Sequence, residues 1–355
     1  MVMTGHSNLV LVTGSTGWLG KRFVRLLATR EIKCDALQNV PVSLRIRCLV
    51  LPGESAAALS AISPQIEVMT GDIRNPADCA RFFEGARGAT LFHTAGIIHP
   101  RRISEFYGIN VEGIKNALSA ATLSGLRRAV IVSSNSPIGC NPHPDHLFDE
   151  GSAYNPYMNY GRSKMLMELE VRKMEETGNL QTVIIRPPWF YGPDQPPRQT
   201  QFFSMIRQGK GPIVGSGNNL RSMGYVDNLC QGMLLASLVD GARGKTYWIA
   251  DRRPYTMNEI IDTIERLLEE EFKMTVKHKR LRLPGLASEV AWLADKTIQQ
   301  LGFYNMKIHV LSEMNKTIAC SISKAEKDLG YQPVIALEEG MRRSIASCIQ
   351  EGAVI

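Results

Sequence analysis

No stretch of the 355 residues approaches the roughly 20 consecutive apolar residues that a membrane-crossing helix needs. The amino terminus, MVMTGHSNLVLVTG, lacks a basic segment and runs directly into a strand pattern, so no signal peptide is expected. Cysteine is sparse and unpatterned: seven residues, at positions 34, 48, 79, 140, 230, 320 and 348, with no C-x-x-C pair. This argues against a disulfide framework and against a zinc site; no metal is expected, and a cytoplasmic location fits. Acidic charge is in deficit, 34 residues against 41 basic ones. The resulting +7 is too diffuse to argue for nucleic acid and reads as a solvated, mildly basic surface. Internal repeats and low-complexity tracts are also missing.

What is present is an alternation of short apolar runs and helical spacings. Strands are expected at Asn8–Thr13, Leu44–Leu51, Ile66–Met69, Thr90–His93, Ala129–Ser133 and Thr182–Ile185. Helices are expected at Trp18–Thr29, Pro76–Glu84, Tyr107–Ser124 and Tyr157–Glu176. Such alternation predicts an α/β fold, a doubly wound parallel sheet (Rossmann) that binds ligands at the strands' carboxyl ends. After Arg186 the texture changes. Pro187–Arg198 (PPWFYGPDQPPR) is too rich in proline for regular helix or central strand, while Met257–Phe272 and Leu337–Gln350 look helical and peripheral. The expected division is residues 1–188 plus 222–250 for the Rossmann domain. Residues 189–221 plus 251–355 would form a smaller, interleaved substrate lobe.

Gly14, Gly17 and Gly20 lie between the first strand and the first helix, in TGSTGWLG. Glycine lets the backbone turn tightly and approach a pyrophosphate, which the helix N-terminus then faces with free N–H groups. The turn residues Gly14, Thr16, Gly17, Trp18, Leu19 and Gly20 are therefore expected to bind a dinucleotide, NAD or NADP. The second strand offers no acid before Glu54 to take ribose hydroxyls, and Arg45 or Arg47 are candidates for a 2′-phosphate, so the phosphate state stays open.

Tyr160 and Lys164, in YGRSK, are four residues apart and share a helix face. A free phenol has a pKa of about 10; an ammonium ~5 Å away at an effective dielectric of ~20 is worth about 3 kcal/mol, roughly two pKa units. The pair is expected to act as a general acid/base, with Ser134 at the end of the preceding strand holding the substrate oxygen. The chemistry is hydride transfer at carbon coupled to proton transfer at oxygen.

These residues resemble the extended short-chain dehydrogenase/reductases, the NAD-dependent epimerase/dehydratase superfamily. The likeness runs through TGSTGWLG, GDIRNP at Gly71–Pro76, FHTAG at Phe92–Gly96, NVEG at Asn110–Gly113 and VSSNSPIG at Val132–Gly139. It continues in YGRSK, RPPWFYGP at Arg186–Pro193, GSGNNLRSMGYVDN at Gly215–Asn228 and KAEKDLGYQP at Lys324–Pro333. The resemblance implies that Asp72 and Ile73 flank an adenine, that Thr94, Ala95 and Gly96 line the middle of the cofactor, and that Ser133 and Pro187 also contact it. It implies catalytic roles for Ser134, Tyr160 and Lys164, with Lys164 also on the nicotinamide ribose. A small-molecule substrate and a homodimer, formed through Tyr107–Ser124 and Tyr157–Glu176, are implied as well.

Asn135-Ser136 stand where family 4,6-dehydratases carry Asp-Glu, which argues against dehydration; Ser136 is a candidate substrate contact. Trp189 replaces the asparagine of many nucleotide-sugar enzymes, and the late segments look most like the 3β-hydroxysteroid dehydrogenase-like branch. A bulky, sterol-like secondary alcohol or ketone is the expected substrate, and a nucleotide-sugar epimerase the alternative. A cofactor-binding scaffold without chemistry is the third reading. Arg221 is open between gripping a diphosphate and making a surface salt bridge. Trp189, Phe190 and Tyr191 are open between capping the substrate and anchoring the loop. His93 is read as a packed residue. Basic Lys273–Arg282 followed by apolar-rich Leu283–Leu301 is read as a lobe helix with a solvated approach in preference to a membrane-touching element.

Overall fold

The computed structural model describes residues 7–355; Met1–His6, part of the stretch read as no signal peptide, lie outside them. Seven parallel strands form the central sheet: β1 (Leu9–Thr13), β2 (Arg45–Val50), β3 (Glu67–Thr70), β4 (Thr90–His93), β5 (Arg128–Val132), β6 (Gln181–Arg186) and β7 (Thr246–Trp248). Their spatial order is β3-β2-β1-β4-β5-β6-β7. The winding reverses between β1 and β4, which opens a crevice beyond the carboxyl ends of those two strands. Strands such as LVLVT are buried throughout because helices cover both faces of the sheet.

The first helix, α1 (Trp18–Thr29), packs Phe23, Val24 and Leu27 into one apolar layer with Trp248 of β7 and Met233 of the helix Val226–Leu238. On the opposite face, α2 (Gly113–Leu123) and α3 (Met158–Glu176) bury Ile114, Leu118, Met167 and Val171 in a second layer. Each fully buried aliphatic side chain contributes about 1.5–3 kcal/mol, which fixes the helices that carry the site to the sheet.

Six strands fall within a residue or two of the sequence expectations. β7 was not expected: it is three residues long, and its register is set by β6, with Thr246 beside Ile184. The single helix expected over Tyr107–Ser124 is broken in character. Ile103–Tyr107 passes through a π-turn, Gly108–Glu112, into α2. Proline does not keep all of Pro187–Arg198 irregular. Trp189–Tyr191 pairs with Met223–Tyr225 outside the central sheet, and a helix begins at Pro197, where a first-turn proline costs no hydrogen bond.

After β6 the chain leaves the sheet, returns as β7, and leaves again. The excursions share a third apolar layer, in which Phe203 of helix Pro197–Arg207, Ile260 and Ile264 of helix Met257–Arg266, and Met341 and Ile345 of helix Leu337–Gln350 meet.

Candidate active site

Glycine shapes the crevice floor by necessity. Gly14 has φ +70°, and a Cβ there would stand 2.6 Å from Ala95 N; a Cβ on Gly20 would stand 2.1 Å from Gly14 O. The turn closes with Gly17 N donating to Gly14 O at 3.1 Å, and Thr94 Oγ1 donates to Thr13 O at 2.7 Å. The N-terminus of α1 carries no side-chain cap and no acid in its first turn, so its N–H groups face the crevice unscreened. A backbone cradle that no other residue type fits, under a bare helix N-terminus, suits a pyrophosphate.

The side chains around this cradle are divided between facing it and holding it. Leu19 is in the core. Trp18 donates its indole N–H to Pro193 O at 2.7 Å and packs on Phe190, with ring centroids 4.7 Å apart, so its side chain ties α1 to the proline-rich loop. Thr16 Oγ1 donates to the Glu54 carboxylate at 2.6 Å, which places an acid beside the glycine turn. The expectation for Arg45 and Arg47 is corrected. Both lie at the amino end of β2, Arg47 being three residues and about 10 Å before the strand's carboxyl end. Arg47 is instead buried in a structural role, bonding Glu67 at 2.8 Å and the carbonyls of Phe82 and Glu84.

Asp72 accepts hydrogen bonds from the backbone and guanidinium of Arg74, and these hold its carboxyl below the usual range. Ile73 packs its side chain against Gly113, where a Cβ would stand 2.6 Å from Ile73 Cδ1, and its carbonyl accepts from Asn116 at 3.0 Å. His93 is fully buried, with Nδ1 2.8 Å from Thr13 Oγ1, and burial together with the Lys164 charge pushes its pKa down to about 3. It is a neutral packing residue, as read.

Tyr160 and Lys164 both turn inward from α3, 9% and 4% exposed. The helix approaches closely because Gly161 is a glycine: a Cβ there would stand 2.4 Å from Ser136 O. Ser134 lies near enough to the Tyr160 phenol to favour its ionised form. The Ser134 hydroxyl also lies 3.3 Å from Asn135 Oδ1 and 3.4 Å from Ser136 Oγ. Lys164 Nζ donates to Val132 O at 3.1 Å and abuts Gly96, whose Cβ would stand 3.2 Å from it. Pro187 is buried at the end of β6.

The electrostatics differ from the simple pair estimate. Burial pushes the Tyr160 phenol up to about 12, with Ser134 and the charge of Arg198 acting in the opposite direction. Burial pushes Lys164 down to about 8 against the pull of Glu168. The lowering of the Tyr160 phenol expected from Lys164 is thus not found: burial dominates both shifts, and neither owes anything to the other group.

Several supporting partnerships had no sequence signal, even where one member lay in a motif. Asn110, fully buried in the π-turn, accepts from Ile97 N at 3.0 Å and donates to Ser163 Oγ at 3.0 Å, joining the strand-end loop to α3. Glu168 accepts from Ser133 Oγ at 2.6 Å, Tyr154 OH at 2.8 Å and Arg186 at 2.6 Å. The Ser133 hydroxyl proton is thus spent on Glu168, and its oxygen is left as an acceptor. Ile97, Ile103, Phe106, Tyr107 and Tyr304 form an apolar wall around Tyr160. Arg198 is open to solvent, yet its charge acts on Tyr160 and Tyr304.

The aromatic trio splits. Tyr191 is an anchor, donating to Asp251 Oδ2 at 2.7 Å; Phe190 packs on Trp18; Trp189 is half-buried, edge-on to Phe202. Arg221 donates to Glu313 O, the carboxyl end of helix Met306–Glu313, at 2.7 Å. It makes no surface salt bridge among the described residues.

A sequence profile of the NAD dependent epimerase/dehydratase family matches residues 10–250, and the chain belongs to that family. It is 51% identical to the uncharacterized protein y4nL of Sinorhizobium fredii, over 99% of this chain and 98% of that one. It is 27% identical to the 3beta-hydroxysteroid-dehydrogenase/decarboxylase isoform 1 of Arabidopsis thaliana, over 98% and 81%. Among solved structures, a double mutant of the dTDP-glucose 4,6-dehydratase DesIV of Streptomyces venezuelae with NAD bound superposes with a TM-score of 0.73 at 25% identity, covering 96% and 97% of the chains. The protein is an enzyme of the NAD-dependent oxidoreductase or epimerase type, and its fold is the Rossmann-like sheet that the sequence alternation implied.

Proposed function

We propose that the enzyme transfers a hydride between NAD and a secondary alcohol or ketone on a bulky apolar molecule. The observation that carries this reading is the grouping of Ser134, Tyr160 and Lys164 at one end of the crevice, beneath an apolar wall of Ile97, Ile103, Phe106 and Tyr304. A wall of this kind suits a sterol-like skeleton better than a nucleotide sugar, and the Arabidopsis relative is named for a hydroxysteroid reaction.

A nicotinamide cofactor held over the glycine turn and beside Lys164 would supply hydride acceptance or donation at the carbinol carbon. Ser134 holds the substrate oxygen by hydrogen bonding, and Tyr160 exchanges the hydroxyl proton with it. Lys164, fixed by Val132 O beside Gly96, supplies positive charge along the cofactor's edge. A phenol held near 12 is protonated at neutral pH and is therefore a ready donor for ketone reduction. In the oxidative direction the rate is expected to rise with pH. Glu54, drawn onto the glycine turn by Thr16, supports NAD over NADP, because a carboxylate there repels a 2′-phosphate and accepts from ribose hydroxyls. A cytoplasmic homodimer formed through α2 and α3 completes the proposal; Leu123 on α2 is 87% exposed and available to that interface.

The test is absorbance at 340 nm with a 3β-hydroxysteroid or its 3-ketone, using each cofactor in turn. Net cofactor reduction or oxidation is expected, at least about tenfold better with NAD. Tyr160→Phe should lower turnover by about 10²–10⁴. Tightly retained cofactor, with sugar-nucleotide interconversion and no net absorbance change, would establish the epimerase alternative instead.

A further inference from the structure

Helix Leu286–Gln300 is reversed relative to an ordinary surface helix. The face packed on the body of the enzyme is polar: Ser288 and Asp295 are fully buried and Gln299 is 4% exposed. These groups are bonded inward. Ser288 donates to Leu311 O at 2.8 Å, His309 Nδ1 lies 2.7 Å from Asp295, and Gln299 accepts from Asn159 at 2.9 Å. The solvent face carries Leu286, Val290 and Leu293 at i, i+4 and i+7, each at least 61% exposed. Leu301, Phe303 and Val310 carry exposed apolar surface into helix Met306–Glu313, and Leu281 does so in the preceding strand. A soluble surface has no physical reason to keep such a contiguous apolar stripe in water.

The charges beside the stripe identify what covers it. Between residues 279 and 310 the exposed charged side chains are Lys279, Arg282, Lys296 and Lys307 against one acid, Glu289, which Lys316 already pairs. Lys296 Nζ stands 5.0 Å over the half-buried Trp292 ring, an amphipathic pair suited to an interface between apolar and wet phases. A second copy of the chain seated on this face would set like basic rims against each other. An anionic headgroup layer over hydrocarbon matches both parts.

We propose that this helical hairpin docks the enzyme in the plane of an anionic lipid bilayer, with the apolar stripe at the acyl boundary and the basic residues on lipid phosphates. This extends beyond the reaction proposed above and does not depend on its substrate. The same hairpin supplies Tyr304 to the wall around Tyr160, so the docking face and the catalytic wall share one element. No helix among the described residues is long and apolar enough to cross a membrane, so the attachment is peripheral.

The experiment is flotation of the full chain with vesicles of phosphatidylglycerol and phosphatidylcholine, compared with phosphatidylcholine alone. Binding to the anionic vesicles is expected, weakened by salt. It should fall about tenfold or more in Lys279→Glu/Arg282→Glu, and as much in Leu286→Ser/Leu293→Ser. Both variants should keep the wild-type thermal midpoint and cofactor binding. Equal binding to the two vesicle types, no binding at all, or binding unchanged in both variants would overturn the proposal. So would sedimentation showing that Leu286→Ser/Leu293→Ser dissociates an oligomer, which would make the face a self-association surface.

Discussion

Lys164 and Glu168 lie one turn apart on α3, both buried, and the fold treats their charges in opposite ways. Glu168 is enclosed by partners: Ser133, Tyr154 and two nitrogens of Arg186, itself 1% exposed and stacked near the rings of Tyr154 and Trp248. Lys164, with three protons to donate, has one carbonyl and, at 3.7 Å, the weakly accepting sulfur of Met167. Burial accordingly lowers its pKa to about 8. The charge with complete partnership ties three elements together and faces no ligand. The charge left under-satisfied faces Gly96 and the crevice, where a bound cofactor or substrate can complete it.

The strongest way to break this contrast is at Glu168. Removing one member of a buried ion pair strands the other, so Glu168→Ala should destabilise the protein by about 3–5 kcal/mol, read from the denaturant midpoint at constant slope. Replacing both Glu168 and Arg186 with methionine should recover most of that loss, because well-packed apolar residues often do as well as a buried pair. A single variant as stable as wild type would mean that Glu168 is not the structural member of the two.

Lys164 should respond with the opposite sign. Its pKa falls from 10.5 to about 8 on folding, so the ammonium opposes folding in full below pH 8, and this cost fades as pH rises toward 10.5. Lys164→Met should therefore stabilise the protein at neutral pH by about 1–3 kcal/mol while reducing turnover about a hundredfold or more. Its advantage in thermal midpoint over wild type should shrink through pH 8–10. Destabilisation at pH 7 would place Lys164 with Glu168 as a structural charge.

Local order in the chain explains what the sequence revealed. The glycine turn, Ser134 and the Tyr160–Lys164 spacing are legible because each is a feature of neighbouring residues. Partnerships assembled across the fold are not: Glu168 with Arg186, Asn110 with Ile97 and Ser163, and the short β7, which is a strand only because β6 lies beside it. Arg45 and Arg47 were misjudged because their charge was weighed without their place at the amino end of β2, opposite the carboxyl ends where such a sheet binds ligands. The helix Leu286–Gln300 shows a further limit. Apolar spacing marks a face, but only packing shows that this face points outward. Arg198 had no pattern at all, since it acts on the Tyr160 neighbourhood from the first turn of helix Pro197–Arg207, in a stretch that the sequence marked only as proline-rich.

Arg198 offers the smallest test and extends the comparison to a third charge, this one at the rim of the site. It is open to solvent, so screening limits its effect, yet its positive charge lowers the Tyr160 phenol that burial raises. Arg198→Met removes that pull and should raise the Tyr160 pKa. In the oxidative direction the fraction of phenolate then falls at any given pH, and the rising limb of kcat/KM moves to higher pH. The loss at neutral pH should stay within about tenfold, the equivalent of one pKa unit, while ketone reduction, which uses the protonated phenol, changes less. The readout is the pH profile in both directions. Equal losses in the two directions with an unmoved limb would show that Arg198 contributes only to substrate binding and does not act on Tyr160.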